Sequence, residues 1–300
     1  MSLEGLVDAA GERLVEHAPF GARTTYRVGG TVRALLTLSG AKDLEQLGPL
    51  LEGLAIFVLG NGSNLLVAEG EHDVLGLHLE GEFAELSWRD EGGHVIVRAG
   101  ARLDLPVADR RLAAEGIVGF EWAVGVPGTF GGAAVMNAGG HGSDMAASVD
   151  EVSTWRAGEQ RIWSADELAF AYRASALADH VVTSVTLRLT RGDAGAAKRE
   201  IGEIVRWRRD HQPGGANGGS VFTNPAGDHA GRLIEAAGCK GLRIASAMVS
   251  EKHANFILVD ANGRANDVFD LLCEVRRRVE QDSGVRLEIE HRLLGFEGRP

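Results

Sequence analysis

Leu59-Gly60-Asn61-Gly62-Ser63-Asn64-Leu65 decides the fold class by what it fails to match. It follows a β-like run at 55–59, where a dinucleotide-binding loop would stand. A Rossmann fingerprint needs a third glycine where Leu65 sits, and a P-loop needs Lys followed by Ser or Thr. With both patterns absent, the segment reads either as a backbone nest whose N–H groups face an anion or as a plain β-turn.

The order of elements also argues against a doubly wound sheet. β-like runs at 32–38, 55–59, 94–99 and 181–189 fill the first two thirds, with a helix expected at 106–114. The last third predicts helices at 197–209, 229–237 and 266–283, and strands at 256–259 and 285–289. Ile201, Ile204, Val205 and Trp207 mark the apolar face of the first of these helices. The helix at 266–283 carries Val268, Leu271, Leu272, Val275 and Val279 on one face, Asn266 or Asp267 as a cap, and Gly284 as a stop. The reading is α+β, with a boundary near 191–200 at the RGDAGAA stretch.

A second glycine-rich segment runs Gly125-Val126-Pro127-Gly128-Thr129-Phe130-Gly131-Gly132-Ala133-Ala134-Val135-Met136-Asn137-Ala138-Gly139-Gly140. Small residues beside a turn let a backbone approach a ligand closely, and a short helix after them would aim its N-terminus at phosphate. Tight helix–sheet packing needs the same residues. Taken with the first loop, phosphate binding is the expectation.

A net charge of −11 argues against general affinity for nucleic acid or anionic lipid, while leaving room for a local anion site. No apolar run is long enough to span a bilayer, and the acidic N-terminus lacks a hydrophobic core, so neither a membrane segment nor a signal peptide is expected. Two cysteines are too few for a disulfide scaffold, and no histidine spacing demands a metal. These features predict a cytoplasmic protein.

Several motifs in order then carry a family likeness. Thr25-Tyr26-Arg27-Val28-Gly29-Gly30, the two glycine segments, Tyr172-Arg173-Ala174-Ser175, Gln212-Pro213, Gly219-Ser220-Val221-Phe222-Thr223-Asn224-Pro225, Ala230-Gly231-Arg232-Leu233-Ile234-Glu235, Val249-Ser250-Glu251-Lys252-His253-Ala254-Asn255-Phe256 and Leu287-Glu288-Ile289-Glu290-His291-Arg292 resemble those of the UDP-N-acetylenolpyruvoylglucosamine reductases. The absence of tyrosine between Arg173 and Ser220 resembles the shorter class, which lacks a tyrosine-bearing loop. Thr24, His141, Thr223 and the Ala245-Ser246 pair depart from the usual pattern.

The resemblance implies an FAD-binding domain of the vanillyl-alcohol-oxidase (PCMH) type at 1–195, in two subdomains, followed by a smaller α+β substrate-binding domain at 196–300. It implies NADPH- and FAD-dependent reduction of an enolpyruvyl UDP-sugar, with NADPH as hydride donor and the UDP-sugar as small-molecule partner. Oligomeric state stays open, with a monomer as the simpler expectation. Cofactor contacts are implied for Tyr26, Arg27, Gly60, Asn61, Gly62, Ser63, Asn64 and Leu65, for Gly125, Val126, Pro127, Gly128, Thr129, Gly132 and Ala133, and for Val182 and Arg292. Arg208, Asn224 and His253 are implied in substrate binding.

Three residues are expected to be catalytic. The Arg173 guanidinium suits a carboxylate that gains charge during hydride addition. The resemblance makes Ser220 the proton donor, a role a weakly acidic hydroxyl can fill only against a strongly basic carbon. Glu288 and Glu290 share a parity on the expected strand, so spacing leaves both open, and the resemblance selects Glu290. A flavin oxidase sharing only the FAD half, or a UDP-sugar sensor without chemistry, fits poorly with Arg173, Ser220 and Glu290 together.

Overall fold

The computed structural model describes residues 4–297. Two compact units emerge, and the chain visits them alternately. One holds the described residues up to Val15, Ala34–Gly60 and Val74–Arg208; the other holds Glu16–Arg33, Asn61–Asp73 and the described residues from Arg209 on. Strands and helices are mixed without a doubly wound order, as the α+β reading expected.

The first unit is organised by an antiparallel sheet with the spatial order Glu159–Ser164, Val149–Arg156, Val181–Arg191, His94–Gly100, Leu86–Glu91. Alternation sets its buried face. Val185, Leu187 and Leu189 stand opposite Ala99, Val97 and Val95, and all six are buried in one core. The helix Leu105–Ala114 adds Leu105, Ala108 and Leu112 to that core. Ile56–Leu59 pairs in parallel with Leu75–His78 in the same unit.

The helix Ala194–His211 is longer than its expected span and buries Ala197, Ile201 and Ile204 against Ala113 and Val124. Its apolar stripe ends there. Val205 and Trp207, expected on the same face, are exposed, and the Trp207 ring instead meets the His141 ring edge-on at 5.2 Å.

In the second unit the helix Ala265–Ser283 buries Val268, Phe269, Leu271, Leu272, Val275 and Val279. They pack with Leu233 and Ile234 of the helix Ala230–Ala236 and with the hairpin strands Arg243–Ile244, Ala247–Val249 and Ile257–Val259. Gly284 ends the long helix as expected. Its start differs from expectation. Neither Asn266 nor Asp267 caps it; the Glu69 carboxylate accepts the Ala265 and Asn266 backbone N–H groups at 2.7 and 3.1 Å. Asp267 turns to Ser246, whose backbone N–H and hydroxyl both donate to its Oδ2, at 3.1 and 2.5 Å. That pairing gives Ser246, one of the departures from the family pattern, a structural role.

The strand expected at 285–289 does not form. It is reduced to one bridge between Phe222 and Ile289. Thr223 N–H donates to Glu288 O at 2.9 Å and Glu290 N–H to Val221 O at 2.9 Å, and there the pairing stops. The physical reason is the partner: Pro225 has no N–H with which to extend the ladder. Just beyond, Arg292–Leu294 pairs in parallel with Leu65–Val67.

Candidate active site

In the first unit, the segment from Gly125 to Gly140 leaves the 3-10 turn Glu121–Gly125, passes an exposed Pro127, and enters the short helix Phe130–Val135. Its main chain is pinned from one side: Leu105 N–H donates to Gly128 O, Phe130 N–H to Leu103 O, and Gly131 N–H to Ala101 O, at 3.0, 3.0 and 2.8 Å. Gly60 lies against this segment, and a Cβ there would fall 2.6 Å from the Thr129 hydroxyl. Val182, buried on its strand, faces Gly131, where a Cβ would stand 3.6 Å from the valine Cβ. On the open side Gly132 is exposed, and a Cβ there would find only Thr129 Oγ1, at 3.8 Å. A bare main chain with an open face suits a flat ligand laid along the backbone, which is what a dinucleotide such as FAD asks of a site.

Arg173 reaches the same segment through its own turn. Ala171 and Ala174 exchange backbone hydrogen bonds of 3.0 and 3.1 Å, so Tyr172 and Arg173 form the tip. Arg173 adopts a φ of 57°, and its guanidinium carbon stands 5.3 Å from the Tyr172 ring centroid. Two bonds fasten this tip to the glycine segment. Ser175 Oγ donates to Val135 O at 2.8 Å, and Asn137 Nδ2 donates to Ala171 O at 3.1 Å. The half-buried Arg208 also belongs to this unit; burial lowers its pKa, and its charge helps hold down the pKa of His141, after the larger effect of that imidazole's own burial.

The second unit gathers Ser220, Glu290, Asn64, Tyr26, His253, Asn224 and Arg292. Ser220 is half-buried after Gly219, whose N–H donates to Asn217 Oδ1 at 3.0 Å. The Glu290 N–H bond to Val221 O ties the Ser220 turn to the Glu290 segment. Glu288 is exposed and Glu290 half-buried, so the two carboxylates left open by spacing have different surroundings. Asn255 clamps the residue after Val221 from both sides: its Oδ1 accepts from Phe222 N–H at 3.0 Å and its Nδ2 donates to Phe222 O at 2.8 Å. His253 Nδ1 accepts the Asn255 N–H at 3.2 Å, which leaves Nε2 as the protonated nitrogen, and burial lowers the pKa of the ring.

Asn224 is exposed, and its Oδ1 accepts the Ala230 N–H at 3.0 Å, at the start of a helix. Arg27 and Arg292 are exposed. Gly62 accepts the Thr25 N–H at 3.2 Å, and a Cβ there would lie 2.6 Å from Thr24 Cα, at a φ of 60°. Only glycine suits that position.

Tyr26, expected near the cofactor, is fully buried and its hydroxyl meets His291 Nε2 at 2.9 Å. His291 Nδ1 meets Asn64 Oδ1 at 2.8 Å, and Asn64 Nδ2 donates to Glu290 O at 3.1 Å. The side chain of Asn64 is thus engaged with the protein. Motif reading missed His291, which stood between two marked residues; only its two charged neighbours hinted at it. Among the described residues no cluster of three or more His, Cys, Asp or Glu side chains could hold a metal, and no helix is long and apolar enough to cross a membrane.

Comparison with known proteins covers most of the chain. A family model for an FAD binding domain matches residues 51–159, and the model of the UDP-N-acetylenolpyruvoylglucosamine reductase C-terminal domain matches residues 211–294. UDP-N-acetylenolpyruvoylglucosamine reductase 2 of Symbiobacterium thermophilum is 39% identical, over 94% of this chain and 92% of its own. The reductase of Paramagnetospirillum magneticum is 40% identical over 95% of this chain and 92% of its own. The crystal structure of the enzyme from Thermus caldophilus superposes with a TM-score of 0.80 at 34% identity, covering 94% of this chain and 98% of that one.

Proposed function

The chain belongs to the UDP-N-acetylenolpyruvoylglucosamine reductase family, and from that premise we propose how its residues carry out the family's reaction. The protein is an FAD- and NADPH-dependent oxidoreductase that reduces UDP-N-acetylglucosamine enolpyruvate to UDP-N-acetylmuramate, a step in building peptidoglycan precursors. Bound FAD, once reduced by NADPH, would supply the hydride for the terminal enolpyruvyl carbon. The protein must hold the carboxylate as charge moves onto it and deliver a proton to the neighbouring carbon.

Arg173, at the tip of its turn, binds the substrate carboxylate and strengthens its hold as negative charge builds. Ser220 donates the proton, and Glu290 restores it through the hydroxyl or an intervening water. The observation that carries this reading is the Glu290 N–H bond to Val221 O, which fixes the glutamate segment beside the serine turn. The glycine segments and Val182 hold FAD, with Arg292 alongside; Arg208, Asn224 and His253 hold the UDP-sugar. Residues 1–195 serve as the FAD-binding domain and 196–300 as the substrate domain, a division supported by where the two family models match. A monomer in the cytoplasm, where NADPH and UDP-sugars are found, completes the proposal.

Anaerobic stopped-flow tests it. FAD reduced by NADPH should reoxidise on adding the enolpyruvyl UDP-sugar and stay reduced with UDP-N-acetylglucosamine. Glu290→Gln and Arg173→Lys should each slow reoxidation by about 100-fold or more, a loss of about 2.7 kcal/mol of transition-state stabilisation. Unchanged rates in Glu290→Gln would remove that residue from the reaction.

A further inference from the structure

Three hydrogen bonds in the second unit form one directed chain. Asn64 Nδ2 donates to the Glu290 carbonyl, which can only accept, and this fixes the orientation of the amide. Asn64 Oδ1 therefore faces His291 Nδ1 as acceptor, so Nδ1 carries the imidazole proton. His291 Nε2 is left as an acceptor and takes the Tyr26 hydroxyl proton. Beyond that hydroxyl, the Tyr26 and His291 rings pack directly on the Gly218 main chain. Each of the three bonds has one donor and one acceptor, and fixing the amide sets the direction of the other two.

The two ends of this chain matter. Gly218 lies two positions before Ser220, and the far end is the peptide carbonyl of Glu290. Asn64 also accepts the Arg292 N–H on its own carbonyl at 2.9 Å, so one residue bonds to positions 290, 291 and 292 in succession. The fit at the Gly218 end is close: a Cβ there would lie 2.6 Å from the Tyr26 ring and 2.8 Å from His291 Nε2. The Tyr26 and His291 rings meet edge-on with centroids 5.6 Å apart. Both side chains are buried, where an unmade hydrogen bond is costly and a satisfied network holds one arrangement.

We propose that Tyr26, Asn64 and His291 are positioning residues that fix the main chain beside Ser220 to the main chain of Glu290. The inference rests on the roles of Ser220 and Glu290 given under the proposed function. It gives Asn64 and Tyr26 work separate from holding the cofactor, and it makes His291 part of the apparatus for proton delivery without contact with the substrate. The chain acts on the half of the reaction that needs the serine and glutamate together.

The test separates the two half-reactions in the holoenzyme. His291→Leu breaks the chain at its centre, and Tyr26→Phe removes one hydroxyl. Each should slow reoxidation by the enolpyruvyl UDP-sugar by about tenfold more than it slows FAD reduction by NADPH, the effect of about 1.4 kcal/mol in the barrier. The loss should appear in kcat rather than KM. The double variant should be no slower than the worse single one, because both cut the same chain. Equal slowing of both half-reactions, or single-variant effects that multiply, would overturn the inference.

Nitrogen NMR of histidine-labelled wild-type holoenzyme gives a reading independent of variants. His291 should show a protonated Nδ1 and an unprotonated Nε2 from pH 8 down to pH 5.5. The opposite tautomer, or titration within that range, also overturns it. If wild-type flavin is not reoxidised by the enolpyruvyl sugar, the functional reading itself fails. An active wild type with an unaffected His291→Leu variant means that only the positioning role fails.

Discussion

Glu69 caps the helix that begins at Ala265, a residue 196 positions later in the chain, with a carboxylate-to-amide distance of 2.7 Å. A negative group at a helix N-terminus satisfies orphan N–H groups and meets the positive end of the helix dipole. Glu69→Ala should lower the stability of the protein by about 1 kcal/mol, and Glu69→Gln by less. Urea unfolding midpoints of the two variants check this, and equal midpoints for Glu69→Ala and wild type would remove the cap from the account.

Burial of His291 pushes its pKa down to about 4. The folded value lies below the ordinary 6.5, so the unfolded chain takes up this proton first. The resulting contribution to stability is complete above pH 6.5 and is lost as the pH falls from 6.5 through about 4. The gap amounts to about 3 kcal/mol at 1.36 kcal/mol per tenfold in proton affinity. Wild type should therefore lose stability between pH 7 and pH 4.5 more steeply than His291→Leu, measured by urea unfolding at each pH.

Asp109 has the opposite sign. It is buried on the helix Leu105–Ala114, and its Oδ2 has no hydrogen-bond partner among the described residues. Burial, followed by the charge of Glu121, raises its pKa to about 8. The folded state favours the protonated acid, so its contribution is complete below pH 3.8 and is lost as the pH rises toward 8. Asp109→Asn keeps the neutral shape, and it should gain stability over wild type as the pH goes from 5 to 8. A stability difference that stays constant with pH would show that Asp109 is ionised throughout.

Ala245 forms the first residue of a two-residue hairpin turn between Ile244 and Ala247, with a φ of 44°. Turns of this kind favour glycine there, and an L side chain is strained. Ala245→Gly should raise stability by about 0.5 kcal/mol after the entropic cost of glycine, with no change in either half-reaction. A fall in thermal midpoint would contradict the strain.

Much of the fold was legible locally. The helix Ala265–Ser283 declares itself because one face repeats apolar residues at helical spacing, and Gly284 stops it. Val181–Arg191 declares itself through its β-branched residues and partial alternation. What escaped depends on partners distant in sequence. No local pattern indicates that Glu69, rather than Asn266, caps a helix, or that the segment 285–289 faces a short proline-ended partner and so makes one bridge. The site divides along the same line. Motifs marked Arg173, Ser220 and Glu290, but the bond between Tyr26 and His291 joins residues 265 positions apart. A buried histidine reads in sequence like any other histidine.

The parallel pair of Leu65–Val67 with Arg292–Leu294 has a consequence for synthesis. A ribosome makes the chain from its N-terminus, so residues 65–67 emerge more than two hundred residues before the strand they pair with. Until residues 291–294 leave the exit tunnel, that strand and Asn64 have neither their ladder nor their histidine. The second unit therefore closes only once Arg292–Leu294 have emerged. A chain cut short before Arg292 should present an unpaired strand edge to chaperones and proteases rather than a nearly finished enzyme.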